Sequence, residues 1–331
     1  MNKHDFQSAI ELINKSKNVL IVPHTRPDGD ACGSAVAMYA LLKELGKEAE
    51  ILLLSDLPQW YRFIFEKEPV FFSGGFTLEK LQRYDLIVLV DVNAESQLPG
   101  FAELLKKKSR PVLVMDHHAT ADGLGDIEII DTTAAAAGLI IYDLIKAAGW
   151  PMDKKVAEPL FVAISTDTGW FRFSNIDSRV HLSCAELIDK GVKPADIYHT
   201  LYQNFSLKRF KLMTAMLDTL QLHFDGRLAT QYILQKDFEK TGAASSDTEN
   251  LIDECQRISS VEVAALFVEL KDNRIRCSLR SKGQVDVRKI AQKFGGGGHK
   301  QASGTYLSKP IEAAQKQIID SVAEQLGQNK K

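Results

Sequence analysis

Four short runs rich in Val, Ile and Leu punctuate the first half of the chain: NVLIVP (18–23), AEILLL (49–54), DLIVLV (85–90) and PVLVM (111–115). No other feature constrains the fold as strongly. Unbroken apolar runs of this length fit strands buried on both faces, and such strands belong to parallel sheets covered by helices. The intervening segments ACGSAVAMYALLKELG and FAELLKKK carry apolar residues at helical spacing among good helix formers. Alternating strand and helix therefore predict an α/β domain with a mostly parallel sheet flanked by helices on both faces. Further helices are expected over 134–148, 154–164 and 179–190, and a long helical stretch without strands over 194–220.

The second half changes pattern. LQLHFDGRLATQYIL and VEVAALFVELKDNRIRCSLRS each read as two strands joined by an Asp-Gly or Asp-Asn turn, that is, as antiparallel hairpins. With helices expected over 247–258, 285–294 and 311–326, this half predicts a smaller α+β domain with antiparallel hairpins. The boundaries that follow are a first domain over 1–191, a helical linker over 192–222 and a second domain over 223–331.

A length of 331 residues with 45% hydrophobic content supports a substantial core. No apolar stretch approaches the ~18 residues of a membrane span, and the N-terminus MNKHDFQSAIEL lacks the layout of a signal peptide. A cytoplasmic protein without a membrane partner is expected. Cys32, Cys184, Cys255 and Cys277 are scattered, with no zinc or disulfide spacing, and are expected to be buried thiols. The net charge of −2 argues against binding long duplex nucleic acid, yet it averages over an uneven chain. Residues 1–190 hold 20 Lys and Arg against 27 Asp and Glu, whereas 274–300 hold eight basic residues against Asp286 alone. An acidic half able to hold cations and a basic patch able to hold anions suit a compact phosphorylated substrate.

Open parallel sheets bind ligands outside the carboxyl ends of their strands, so the residues after each run carry the most information. His24, Asp28 and Asp30 follow the first run, Asp91 the third, and Asp116, His117 and His118 the fourth; Asp167 follows LFVAI and precedes a glycine where a helix would end. A lone Asp after a strand is ordinarily a cap or a turn residue. Capping does not account for the histidines, and clustered carboxylates repel one another unless cations intervene. Carboxylate mixed with imidazole suits Mn²⁺ or Mg²⁺, or Fe²⁺ or Co²⁺, and four or more acids suggest two ions ~3.5–4 Å apart.

Two rival motifs fail. DGD cannot open an EF-hand, because Tyr39 stands where the bidentate Glu belongs. GGGG (295–298) runs into His-Lys-Gln rather than the Lys-Ser/Thr of a P-loop. With the strand-like GTYL close behind it, the glycine run is expected to be a tight phosphate-cradling turn whose N–H groups form an anion nest.

The set HTRPDGDACGS, VDVN, VMDHHAT and STDTGWF, with FGGGGHKQASG far downstream, resembles the DHH phosphoesterases that carry a DHH-associated C-terminal domain. Both domains stand in that family's order. Length and layout resemble the branch that degrades nanoRNA and dephosphorylates pAp more than the longer exonucleases or the membrane-tethered cyclic-di-AMP phosphodiesterases. The resemblance implies metal ligands at His24, Asp28, Asp30, Asp91, His117 and Asp167, with Asp91 bridging two ions. His118 is left for the substrate phosphate or leaving group, and Asp116 for orienting the histidines. Gly29 and Gly33 would let the backbone bend around the ions. The glycine loop, with Gly296, Gly297 and His299, would bind substrate phosphate, helped by Ser278 and Arg280 on the preceding hairpin.

The implied activity is exonucleolytic, 3′–5′ hydrolysis of RNA of a few nucleotides to mononucleotides and of pAp to AMP, with two Mn²⁺ ions that Mg²⁺ or Co²⁺ could replace. The alternatives are a pApA or cyclic-di-AMP phosphodiesterase, a polyphosphatase, and a non-catalytic nucleotide-binding regulator. Against the last, none of the six implied ligands is missing. Expected partners are short RNA oligonucleotides and pAp, with a second copy of the chain as a homodimer.

Overall fold

The computed structural model describes residues 3–107, 110–119, 121–298, 300–308 and 310–327. Two compact units divide the chain, Met1–Gln203 and Asn204–Lys331. In the first, β1 (Asn18–Pro23), β2 (Glu48–Leu53), β3 (Val70–Phe71), β4 (Leu86–Val90), β5 (Val112–Asp116) and β6 (Ile127–Ile130) form one sheet in the order β3-β2-β1-β4-β5-β6. Every pairing in it is parallel. The four apolar runs are β1, β2, β4 and β5. The edge strands β3 and β6 were not legible, because two residues in one case and a half-exposed IEII in the other give no continuous apolar run.

The interior strands are buried on both faces, and the two faces pack differently. Val19, Ile21, Val88, Val90, Leu113 and Met115 meet the long helices Gly29–Glu44, Ala137–Ala148 and Lys154–Asp167. Leu20, Val22, Ile87, Leu89, Val112 and Val114 meet a smaller layer containing Phe76, Leu81, Phe101 and Leu105. Gly29 and Gly33 serve helix packing here. A Cβ at Gly33 would lie 2.5 Å from the Pro159 carbonyl oxygen, and one at Gly29 would lie 2.3 Å from Thr166 Oγ1. That closeness seats Gly29–Glu44 on Lys154–Asp167, which brings Asp30 and Asp167 toward the same strand ends.

The second unit holds β7 (Gln221–His223), β8 (Leu228–Ile233), β9 (Val263–Glu269), β10 (Ile275–Ser281), β11 (Gly297–Gly298) and β12 (Ala302–Leu307), in the order β11-β12-β10-β9-β8-β7. Both expected hairpins are present, turned by left-handed residues at Phe224–Gly226 and at Asn273. They join through a parallel pairing of β8 with β9, so the sheet is mixed. The helix expected over 247–258 is instead two 3₁₀ turns, Ser245–Thr248 and Leu251–Arg257. Glu249 is extended and Asn250 left-handed between them, which breaks any continuous helix. The 194–220 stretch holds two helices, Pro194–Tyr202 and Leu207–Leu217, the second capped by Ser206. The four cysteines are buried, and none is in a disulfide. Among the described residues, no helix is long and apolar enough to cross a membrane.

Candidate metal centre

In this strand order the chain reverses direction across the sheet between β1 and β4, and the carboxyl ends of strands at such a switch point are where ligands bind. His24 follows β1, Asp91 follows β4, and His117 and His118 follow β5. Asp28 and Asp30 open the helix Gly29–Glu44, and Asp167 closes the helix Lys154–Asp167. Asp91 has φ of +56°, a left-handed backbone that costs a non-glycine residue energy and that clusters at functional sites.

These side chains converge. His24 Nε2 lies 3.4 Å from Asp91 Oδ2 and 3.9 Å from Asp28 Oδ1. His117 Nε2 lies 3.7, 3.5 and 3.6 Å from Asp30, Asp91 and Asp167 respectively. Three groups are compact enough to hold a cation: His24, Asp28 and Asp91; Asp30, His117 and Asp167; and Asp91, His117 and His118. All six residues expected as ligands fall in these groups, and His118 joins them in the third.

The imidazoles differ in a way their adjacency in sequence hides. His24 Nδ1 sits 2.8 Å from the Thr25 carbonyl oxygen, and His117 Nδ1 sits 3.2 Å from that of Ala134. A carbonyl only accepts, so in each ring Nδ1 carries the hydrogen and Nε2 points at the carboxylates, the arrangement in which a metal-binding imidazole is held. His118 is turned the other way: its Nδ1 faces Asp116 Oδ1 at 2.7 Å, and Asp116 is fully buried at the end of β5. Asp28 does cap its helix, accepting from Asp30 N and Ala31 N. Asp30 is gripped by the start of another helix, accepting from Ala137 N at 2.6 Å and Gly138 N at 3.0 Å, with Ser34 Oγ donating at 2.9 Å.

Burial and mutual repulsion compete with the imidazoles for the charges of this cluster. Burial, reinforced by the Asp91 charge, raises Asp30 well above the usual carboxylate range. Burial likewise pushes Asp167 up to about 7, Asp28 and Asp91 adding repulsion against the pull of His117. For Asp91 burial works in the same direction, but the hydrogen bonds and charges of His117 and His24 outweigh it and hold the carboxylate low. Against the cost of burial, Asp91 with Asp30 and Asp167 raise His117 to about 11, and Asp28 and Asp91 raise His24 well above an ordinary imidazole. Asp91 Oδ1 is nevertheless buried without a hydrogen-bond partner, as is Asp116 Oδ2. A divalent ion fits this donor set: it would satisfy the orphaned oxygen and relieve the repulsion.

The residues of the second unit lie on its own sheet. Ser278 and Arg280 project from β10 opposite the core-facing Ile275, Cys277 and Leu279. Ser278 pairs with Gly304 of β12, and Gly304 pairs in turn with Gly297, so one row across three strands is nearly bare of side chains. The expected glycine turn is a two-residue edge strand. Gly296 leads into it because a Cβ there would lie 2.2 Å from the Gly304 carbonyl oxygen. Arg280 Nε is 3.5 Å from Asp253 Oδ1. His299 lies outside the described residues.

Similarity to known proteins follows the same division. The DHH family N-terminal domain matches residues 18–164 and the DHHA1 domain residues 225–328. A Thermus thermophilus protein named bifunctional oligoribonuclease and PAP phosphatase NrnA is 31% identical over 309 residues, 93% of this chain and 90% of that protein. The chain belongs to the DHH family. A Bacillus subtilis protein of the same name is 30% identical over 312 residues, 92% of this chain and 94% of that one. The crystal structure of an exopolyphosphatase-related protein from Bacteroides fragilis superposes with a TM-score of 0.94 at 23% identity, covering 99% of this chain and 98% of that one, which shows the shared fold.

One buried polar residue close to Asp91 in sequence escaped sequence reasoning. Asn93, in VDVN, is fully buried with neither side-chain atom hydrogen-bonded. Its only signal was its place two residues beyond Asp91.

Proposed function

We propose that this chain is a divalent-metal-dependent phosphoesterase that hydrolyses oligoribonucleotides of a few nucleotides to mononucleotides and dephosphorylates pAp to AMP. One observation carries the reading: carboxylates and imidazoles from three strand ends share Asp91, in a chain similar over nine-tenths of its length to proteins named for both activities. His24, Asp28 and Asp91 would hold one ion, and Asp30, His117, Asp167 and Asp91 a second. Mn²⁺ suits this mixture of oxygen and imidazole donors, with Mg²⁺ or Co²⁺ able to replace it. Bound ions of this kind neutralise charge on the phosphate and lower the pKa of water.

The protein's own groups do the rest. Asp116 holds His118 by Nδ1, which fixes the ring's orientation and leaves it to deliver or accept a proton at the leaving oxygen. Its pKa supports this. Burial disfavours the charged ring, but the Asp116 hydrogen bond and the Asp91 charge raise it above the ordinary imidazole value, which favours the protonated form. Ser278, Arg280, Gly296, Gly297 and His299 would hold a phosphate away from the reacting bond. The reading places the protein in the cytoplasm.

Purified protein with Mn²⁺, offered a 5′-labelled tetranucleotide, pAp, pApA, cyclic-di-AMP and polyphosphate, tests it. Mononucleotides from the tetranucleotide and AMP from pAp are expected. Turnover of cyclic-di-AMP or polyphosphate alone would replace this reading, and metal binding without any turnover would make the chain a regulator.

A further inference from the structure

Past Asp167 the chain makes a turn that ending a helix does not require. Gly169, Trp170 and Phe171 have φ of +57°, +58° and +63°. One left-handed glycine is enough for a helix stop, whereas bulky aromatic residues adopt this conformation at a cost. Such strain persists only where surrounding contacts over-determine it, and it concentrates at functional sites.

The contacts are present. Trp170 N donates to the Ser165 carbonyl at 2.6 Å, and the amides of Arg172 and Phe173 both donate to the Thr168 carbonyl, at 3.0 and 3.1 Å. Asn175 Nδ2 donates to the carbonyls of Ala135 at 3.2 Å and Asp167 at 3.3 Å. The Trp170 ring packs among Phe161, Tyr198 and Tyr202, with centroids 5.9, 5.1 and 5.6 Å away.

With Trp170 and Phe171 packed against Phe161, the next two residues, five and six positions beyond Asp167, are exposed. Phe173 is 45% exposed, so its ring is open to a ligand. It lies flat enough over Gly169 that a Cβ there would come within 2.4 Å of a ring atom. Arg172 is exposed, its Nε donates to the Gly169 carbonyl at 2.6 Å, and its Cζ lies 6.0 Å from the Phe173 centroid. Among the described residues it forms no ion pair, although this unit is rich in acids.

We propose that Phe173 and Arg172 form a nucleobase platform beside the metal centre, a base of the substrate stacking on the Phe173 ring and the braced Arg172 guanidinium answering its backbone phosphate. Stacking on an aromatic ring with a neighbouring arginine is how proteins hold single-stranded nucleic acid without choosing its sequence. An enzyme that clears RNA fragments of any sequence needs that kind of contact. A polyphosphate has no use for it. The proposal rests on the phosphoesterase reading above and names a part of its substrate site.

The probe is a hydrolysis-resistant phosphorothioate dinucleotide carrying 2-aminopurine, whose fluorescence is quenched by stacking. Wild-type protein with Mn²⁺ should bind and quench it. Phe173→Leu should weaken binding about 5- to 100-fold, the range of one base–aromatic contact, and lose the quenching, while Phe173→Tyr keeps both. In turnover, wild type should prefer a dinucleotide over its abasic analogue by a similar factor, and Phe173→Leu and Arg172→Gln should bring that ratio toward one. Absent or unquenched binding by wild type, or quenching and preference that survive Phe173→Leu, overturn the platform. Quenching that depends on Phe173 in a wild-type protein hydrolysing no dinucleotide overturns the phosphoesterase reading instead.

Discussion

The acidic strand ends of the first sheet and the basic hairpin of the second unit both gather charge, but they solve opposite problems. At the strand ends the groups are mutually dependent: His117 faces three carboxylates within 3.7 Å, and Asp91 Oδ1 is buried without a hydrogen bond. On β10 the cations alternate with core residues, and Arg280 already rests near Asp253. The first arrangement is a set of groups that could hold a cation, so changes there should act on chemistry. The second already pairs Arg280 with a carboxylate of its own unit, so changes there should act on affinity.

The largest break of this contrast is Asp91→Ala. The shared carboxylate links both candidate ion positions, and its loss should abolish Mn²⁺-dependent hydrolysis at any pH. Retention of more than about a tenth of the rate, ~1.4 kcal/mol of barrier, would refute a centre built on that residue. His118→Ala comes next, with an expected loss on the order of 10²- to 10⁴-fold in kcat while bound metal stays the same. Metal analysis of the purified variant checks it. A lost ion would mean that the third group, Asp91 with His117 and His118, is the one that coordinates.

Arg280→Ala sharpens the other side. It should lower kcat/KM on a trinucleotide or pAp about 10- to 100-fold, the loss of one charge-assisted contact, and act far less on bis-p-nitrophenyl phosphate. Equal losses on both substrates would make Arg280 a support of the fold. The smallest effect is on pH. His24 and His117, both raised above the ordinary imidazole pKa and His117 to about 11, are protonated at neutral pH in the metal-free protein. A metal must displace those protons, so its apparent affinity should rise with pH from neutrality upward, by about tenfold per unit for each proton released. Calorimetry in buffers of different ionisation enthalpy counts the protons; uptake on binding, or no pH dependence, would contradict the arrangement.

Legibility differed between the regions for the same physical reason. Strands buried on both faces write apolar runs, so β1, β2, β4 and β5 were readable, and acids and histidines stood out after β1, β4 and β5, although their roles as ligands came from the family resemblance. The glycine run was read as a turn because glycine is permissive; only its register with Gly304 makes it an edge strand. The 3₁₀ turns at 245–257 hide behind a helical composition until Asn250 is seen to be left-handed.

What the sequence determined by itself is therefore the inventory: which residue types stand at which strand ends, and that acids and imidazoles so placed call for a cation. Those are local facts of pattern and charge. Only the tertiary structure decided their roles, because a role depends on which atom faces which. His117 and His118 are neighbours in the chain, yet one turns Nδ1 to a backbone carbonyl and Nε2 to three carboxylates, while the other gives Nδ1 to Asp116. Likewise Asp30 answers to Ala137 and Gly138, more than a hundred residues away, and no local pattern could carry that contact.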